Sequence, residues 1–192
     1  MGGHKIQQQF ALHYLTLTIV GWVDIFSRKA YRDVMIDSLK YCQIQKGLEI
    51  YAYTIMSNHV HLIVKAKEDS KGLSAIIGDL KKFTSKKIIQ TIKEIPESRR
   101  DWLLHVFKFQ AKYNSNNTTY QVWIQDNHPI QLVSPRWIQQ KITYIHLNAV
   151  RASIVAEAHH YLYASASNYY NGQGLLQVNV IDFGVTDFYV PV

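Results

Sequence analysis

An α+β fold built on an antiparallel sheet is what this chain predicts, on three observations. Strand-like and helix-like segments follow in the order strand, helix, strand, strand, helix. The two adjacent strands are separated only by Ser57-Asn58, which is turn chemistry, so they pair antiparallel. At 192 residues, with 47% hydrophobic and 18% charged residues, the chain can fill one core and has no disordered composition.

The elements follow in order. In "FALHYLTLTIV", Phe10 to Val20, Leu15, Leu17 and Ile19 share one face, and Thr16 and Thr18 the other. That alternation predicts a strand, broken at Gly21. From Ser27 to Lys46, Ala30, Val34, Ile36, Leu39 and Cys42 recur at helical spacing, and Gly47 is the stop. Leu48 to Met56 is rich in β-branched and aromatic residues and predicts a strand. His59 to Ala66 predicts its antiparallel neighbour. Leu73, Ile76, Ile77, Leu80 and Phe83 mark the apolar stripe of a long helix from about Ser70 to Ile92. Its polar side carries Lys81, Lys82, Lys86 and Lys87.

After Pro96, "ESRRDWLLHVFKFQAKYN" predicts a short helix, "NSNNTT" a loop, and "YQVWIQDNHPIQLV" an extended piece and a turn. Ser134-Pro135 is an N-cap followed by Pro at the first helical position, starting a helix that reaches about Ala156. The tail from about Tyr161 is aromatic and irregular. There is no repeat and no long linker, so residues 1–192 are expected to form one domain. The order of elements predicts a ferredoxin-like layer with helices on one face of the sheet, plus a C-terminal helix.

Twenty-one Lys and Arg against 14 Asp and Glu leave 21 − 14 = +7, with a pI near 9.4. This favours polyanionic partners, nucleic acid first. A single cysteine, Cys42, excludes an internal disulfide and any cysteine zinc cluster. It is expected to be a packed helix residue. The N-terminus lacks an apolar signal segment and the Ser or Thr that myristoylation needs at position 6. No apolar run approaches membrane-span length. A soluble, cytoplasmic protein is expected.

Two constellations carry chemistry. In "MSNHVHLIV" the strand alternation puts His59, His61 and Ile63 on one face and Val60, Leu62 and Val64 on the other. Two imidazoles side by side suit a metal, a phosphate, or simply a hydrogen-bonded sheet face; a metal needs a third ligand. In "SPRWIQQKITYIHLNAVRASIV", Ile138, Ile142, Ile145 and Ala149 form the core stripe of the last long helix. Lys141, Tyr144, Asn148 and Arg151 form a second stripe rotated by roughly 100°. Tyr144 and Asn148 stand one turn apart, so a hydroxyl and an amide approach one spot.

These blocks together resemble the single-tyrosine HUH transposases. "MSNHVHLIV" is similar to their His-hydrophobic-His motif. "YIHLNAVRASIV" resembles the family segment Tyr-Ile-His-x-Asn-Pro-Val-x-Ala-Gly-Leu-Val. "VWIQDNHPIQLVS" looks like its Trp-centred stretch, and "HHYLYASASNYY" like its Tyr-x-Ser-Ser-Ala-x-x-Tyr tail. The blocks come in family order from Phe10 to Gly174, and look most like REP-associated tyrosine transposases and their insertion-sequence relatives. Ser57 stands where Pro is common, Ala149 where Pro is usual and Ser153 where Gly is usual. No chemical group is lost, and Ala149 should let the helix run past Asn148.

The resemblance implies a nuclease that cleaves and rejoins single-stranded DNA at hairpin-marked ends. It implies Tyr144 as nucleophile, forming a 5′-phosphotyrosine, and His59, His61 and Asn148 as ligands of Mg²⁺ or Mn²⁺. Imidazole by itself favours zinc or another transition metal. Lys81, Lys82, Lys86, Lys87, Arg99, Arg100, Lys108 and Arg151 are candidate phosphate contacts. Trp123, Trp137 and the tail tyrosines are candidate base platforms. His128 and His146 receive no role; His146 should face away from Tyr144. A homodimer is what the resemblance to the insertion-sequence relatives implies. The rival readings are a domesticated hairpin-binding protein, a metal-dependent phosphodiesterase using activated water, and an interaction domain that does not bind DNA.

Overall fold

Four strands of alternating polarity join into a single antiparallel sheet in the computed structural model, which describes residues 5–113 and 119–184. They are β1 (His13–Thr18), β2 (Leu48–Ile55), β3 (His59–Ala66) and β4 (Ile130–Gln131), in the order β2-β3-β1-β4. The helices are α1 (Lys29–Lys46), α2 (Leu73–Glu94), α3 (Arg100–Ala111), α4 (Pro135–Arg151) and α5 (Ala166–Asn171). The expected "NSNNTT" loop lies, apart from Thr119, outside the described residues. Among the described residues no helix is long and apolar enough to cross a membrane.

One face of the sheet is dry. Leu15, Leu17, Ile50, Tyr53, Val60, Leu62 and Val64 pack with Tyr31, Met35 and Leu39 of α1 and Leu73, Ile77 and Leu80 of α2. Fully burying a side chain of this size contributes about 1.5–3 kcal/mol. Helix α1 stops where Gly47 takes a left-handed φ of 72° and returns its N–H to the Cys42 carbonyl. Cys42 is buried, and burial pushes its thiol up to about 11. It is packing, as expected.

Phe83 departs from the expected stripe and is 58% exposed. The helical phase turns Thr84 inward instead. Its hydroxyl donates to the Leu80 carbonyl at 2.7 Å and accepts the Trp123 indole N–H at 2.9 Å. Trp123, only 4% exposed, packs on Phe26. It belongs to the core and offers no face to a base.

β2 is two alternating runs out of phase. Leu48 and Ile50 point into the dry core, and so do Tyr53 and Ile55. The register against β3 slips between Ile50 and Ala52, leaving Tyr51 as the extra residue of a bulge. The bulge keeps both runs on the apolar side.

The outer edge of β2 is covered by the tail expected to be irregular. Thr54 bridges to Ala164, Ile55 N–H donates to the Tyr163 carbonyl at 2.9 Å, and Asn179 N–H donates to the Ile50 carbonyl at 2.8 Å. An edge that would otherwise template aggregation is thereby paired. The tail also contains the short helix α5.

Helix α4 packs on the opposite face, in a smaller core of Tyr14, Ala52, Ile63, Leu132, Ile142 and Ile145. Ser134 caps it, its hydroxyl accepting from Trp137 N–H. The helix runs past Asn148, as Ala149 allows, and ends at Arg151, short of the expected Ala156. The stop is Ser153, with φ +55°.

Candidate active site

Strand β3 delivers His59 and His61 to the α4 face, their ring centroids 4.6 Å apart and planes at 70°. In β1, Thr18 lies opposite His59 and Thr16 opposite His61; in β2, Thr54 flanks His61. His61 is 4% exposed. Its Nδ1 lies 2.8 Å from the Tyr14 hydroxyl and 3.1 Å from Thr16 Oγ1. His59 Nδ1 lies 2.6 Å from Asn58 Oδ1, a carbonyl oxygen that can only accept, so this nitrogen carries the proton.

Burial holds both rings neutral. It lowers His59, and it takes His61 down to about 3, helped by His59 and Lys141. Burial likewise raises the Tyr14 phenol to about 12, against the Thr16 hydrogen bond, with a small push from Tyr144. Tyr14 therefore serves as a neutral hydroxyl.

Helix α4 lowers its second stripe over this pair. The Tyr144 ring centroid is 5.4 Å from that of His61 and 6.3 Å from that of Tyr14. Tyr144 is 38% exposed, so its phenol has a route to solvent. Lys141 Nζ stands 4.6 Å from the Tyr14 ring centroid and 5.7 Å from that of Tyr144. Arg151 Cζ stands 5.6 Å from the Tyr144 ring centroid. Asn148, partly buried, follows Tyr144 by one turn and shares its side of the helix. The structure thus brings His59, His61 and Tyr144 together within one chain, beside two cations suited to an anionic phosphate.

The residues fit a cation. His61 Nε2 is buried and has no hydrogen-bond partner. Leaving such an atom unsatisfied costs about 1–3 kcal/mol, so its persistence points to a ligand. A metal-binding imidazole ordinarily donates its other N–H to a neighbour. His59 does so to Asn58, and the Tyr14 and Thr16 hydroxyls can accept from His61 Nδ1.

The basic residues divide. Lys81 is held inward: its ammonium donates to Ile124 O at 2.6 Å, Gln125 O at 3.1 Å and Asn127 Oδ1 at 2.7 Å. Burial draws it down to about 8, opposed by Asp126. It fastens the strand-like loop beside β1, where Thr16 N–H meets the Asn127 carbonyl. Arg100 caps the end of α2, donating to the Ile92 and Ile95 carbonyls. Arg99 pairs with Asp24 at 2.6 Å and also meets Ser27 and Glu97. Lys82, Lys86 and Lys108 are exposed; Lys87 is partly exposed and reaches Gln90.

His146 is buried away from Tyr144, its Nε2 3.0 Å from Ser165 Oγ. His128 is exposed. Tyr161 and Tyr163 are buried tail packing, while Trp137 is exposed. Sequence reasoning missed Tyr14, Thr16 and Asn58 as supports of the imidazoles. The polar face of β1 was the available signal.

The family of IS200-like transposases matches residues 15–126, more than half of the chain. The matched stretch includes both histidines and ends before α4. Among solved structures, a REP-associated tyrosine transposase bound to a REP hairpin is similar, with a TM-score of 0.59 at 13% identity over 100% of both chains. A Deinococcus radiodurans protein described as a transposase has a TM-score of 0.43 at 17% identity, over 76% of this chain and 95% of that one. No curated protein sequence matches the chain. The α+β fold, its antiparallel sheet and the family match agree, and the chain belongs to the IS200-like transposases.

Proposed function

We propose that this transposase cleaves and rejoins single-stranded DNA at hairpin-marked ends, with Tyr144 as the nucleophile. The observation that carries the reading is the meeting of the Tyr144 ring with the His59–His61 pair: its centroid lies 5.4 Å from that of His61, and the two imidazole centroids lie 4.6 Å apart. The similar solved structure is of a REP-associated tyrosine transposase bound to a REP hairpin, which supports hairpin DNA as the partner.

In the step, the Tyr144 oxygen bonds to phosphorus and the bond from phosphorus to the 3′-oxygen breaks. The phenol gives up its proton and the departing 3′-oxygen gains one, leaving a 5′-phosphotyrosine and a free 3′-hydroxyl. Attack by a 3′-hydroxyl on the phosphotyrosine runs the step in reverse and rejoins strands without ATP. His59 and His61, with Asn148, would hold a divalent cation, Mg²⁺ or Mn²⁺ by family resemblance. Such an ion, when bound, polarises a non-bridging phosphate oxygen. Asn58, Tyr14 and Thr16 orient the two rings. Lys141 and Arg151 offset phosphate charge, and exposed Lys82 and Lys86, with partly exposed Lys87, extend a phosphate track along α2.

The test uses single-stranded hairpin DNA from the gene's own flanks, labelled on either side of the cut, with Mn²⁺. Wild-type protein should form a denaturant-resistant conjugate retaining only the label 3′ of the cut. Tyr144→Phe should abolish the conjugate, a loss of more than about 10³-fold. Cleavage undiminished in Tyr144→Phe would instead identify a water-using phosphodiesterase. Binding with no cleavage by wild type would identify a hairpin binder.

A further inference from the structure

Beyond α4 the chain makes a 3₁₀ turn, Ala158–His160, entered from Glu157. The sequence Glu157-Ala-His-His places one carboxylate and two imidazoles on this single turn and its entry residue. One ligand atom from each of Glu157, His159 and His160 lies within 4.8 Å of the other two. None of them belongs to the His59–His61 pair.

Three details argue for a site over a chance surface cluster. First, Glu157 Oε2 and His159 Nε2 are 3.3 Å apart. A charge-assisted hydrogen bond between these groups would be about 2.8 Å. Two ligands of one tetrahedral ion at about 2.1 Å stand about 3.4 Å apart, which matches. Second, the rings of His159 and His160 are 4.3 Å apart at 61°, so both can turn an edge toward one point. Third, His159 is fixed in its plane by Tyr170 of α5, stacked at 3.8 Å and 7°. The backbone is fixed too, His160 N–H donating to the Glu157 carbonyl at 3.1 Å.

We infer that Glu157, His159 and His160 form a second metal site, for a zinc-class transition-metal ion, with solvent completing the shell. Two imidazoles and one carboxylate are a borderline-soft donor set that selects zinc, cobalt or nickel over magnesium. The ion would lock the turn after α4 to α5 through the His159–Tyr170 stack, and so steady the tail that covers β2. The site needs no DNA and no cleavage, so it stands or falls separately from the transposition chemistry.

The experiment uses untagged full-length protein in two forms: His59→Ala/His61→Ala, and the same with His159→Ala/His160→Ala added. Zn²⁺ alone is the probe, measured by equilibrium dialysis with elemental analysis. The first form should bind one Zn²⁺ per chain, and the second should bind at least about 100-fold more weakly. With free Zn²⁺ at a hundredfold excess over Kd, the first form should gain about 5 °C or more in melting temperature and the second should not. Co²⁺ in the first form should give the intense visible bands of a four-coordinate site. Should the multiple variants fail to fold, His159→Ala/His160→Ala in the wild-type background should lower the bound Zn²⁺ by one per chain. Equal binding with and without His159 and His160, or no binding by the first form, would overturn the assignment.

Discussion

On one side of β3, Val60, Leu62 and Val64 are sealed under α1 and α2. On the other, a residue away in each case, His59 and His61 lie beneath α4 with Tyr144. The strand is the same and the backbone is the same. The dry face has hydrocarbon from two long helices. The α4 face has a small apolar core at one end and hydroxyls, imidazoles and two cations at the other. Stability and chemistry are thus segregated by the pleat. A rigid sheet, fixed by packing on one side, holds the two imidazoles in place on the other, with His61 Nε2 unsatisfied.

That segregation can be broken one face at a time. Leu62→Ala should cost about 3 kcal/mol, since a fully buried leucine leaves a cavity that α1 and α2 cannot close. His61→Ala should cost less than about 1 kcal/mol, because it also removes the unsatisfied Nε2. Urea titration would read both. DNA cleavage at low temperature should be retained by folded Leu62→Ala protein and fall more than about 100-fold in His61→Ala. Comparable losses of stability in the two variants would erase the distinction between the faces.

Acid should weaken the α4 side next. His146 is buried on α4 and held down to about 3 by burial. Its Nε2–H donates to Ser165 Oγ, which is the acceptor there because its own proton goes to the Tyr53 carbonyl. In the unfolded chain this imidazole titrates near 6.5. Below pH 6.5 the unfolded state therefore binds the extra proton. Stability falls as pH drops from about 6.5 toward about 3. At pH 5 the loss is about 2 kcal/mol for this ring. His146→Gln keeps a donor for Ser165 and should flatten the acid limb by that amount. Metal-free melting curves at pH 7 and pH 5 would show it; an unchanged slope would mean the ring is not buried neutral.

The sequence makes the order β1-α1-β2-β3-α2 legible because each element declares its own period. Strand alternation puts His59 and His61 on one face and helical spacing puts Tyr144 and Asn148 one turn apart, by local rules; a joint role for them is what the family resemblance implies. What depended on register between distant segments was not legible. The Tyr51 bulge, the pairing of the tail with β2, and the support of His61 by Tyr14 and Thr16 require knowing which residues lie opposite which. Lys81 and Arg100 looked like free cations because backbone carbonyls, the groups they serve, are anonymous in sequence. The apolar stripe of α2 has turned outward by Phe83, and Thr84 takes over on the inner face to meet Trp123.

The smallest effect sharpens the comparison at the end of α4. Ser153 holds φ +55° and closes the helix by a double return: its N–H donates to the Val150 carbonyl at 2.8 Å, and Ile154 N–H donates to the Ala149 carbonyl at 2.9 Å. A side chain in that conformation costs about 1 kcal/mol, and glycine avoids it. The family segment this region resembles has glycine there. Ser153 is exposed, so its hydroxyl loses little on removal. Ser153→Gly should raise stability by about 0.5–1 kcal/mol, after the extra unfolded-chain entropy is subtracted, or about 1–4 °C in Tm. Asn148 lies one turn before this cap, its carbonyl bonded to Ala152 N–H at 3.0 Å. If the conjugate-forming rate of Ser153→Gly equals that of wild type, the chemistry of the α4 face resides in its side chains, and the backbone strain is incidental. If the rate falls while the Tm rises, the strained cap is part of how α4 presents Tyr144 and Asn148, and the functional face extends into the backbone.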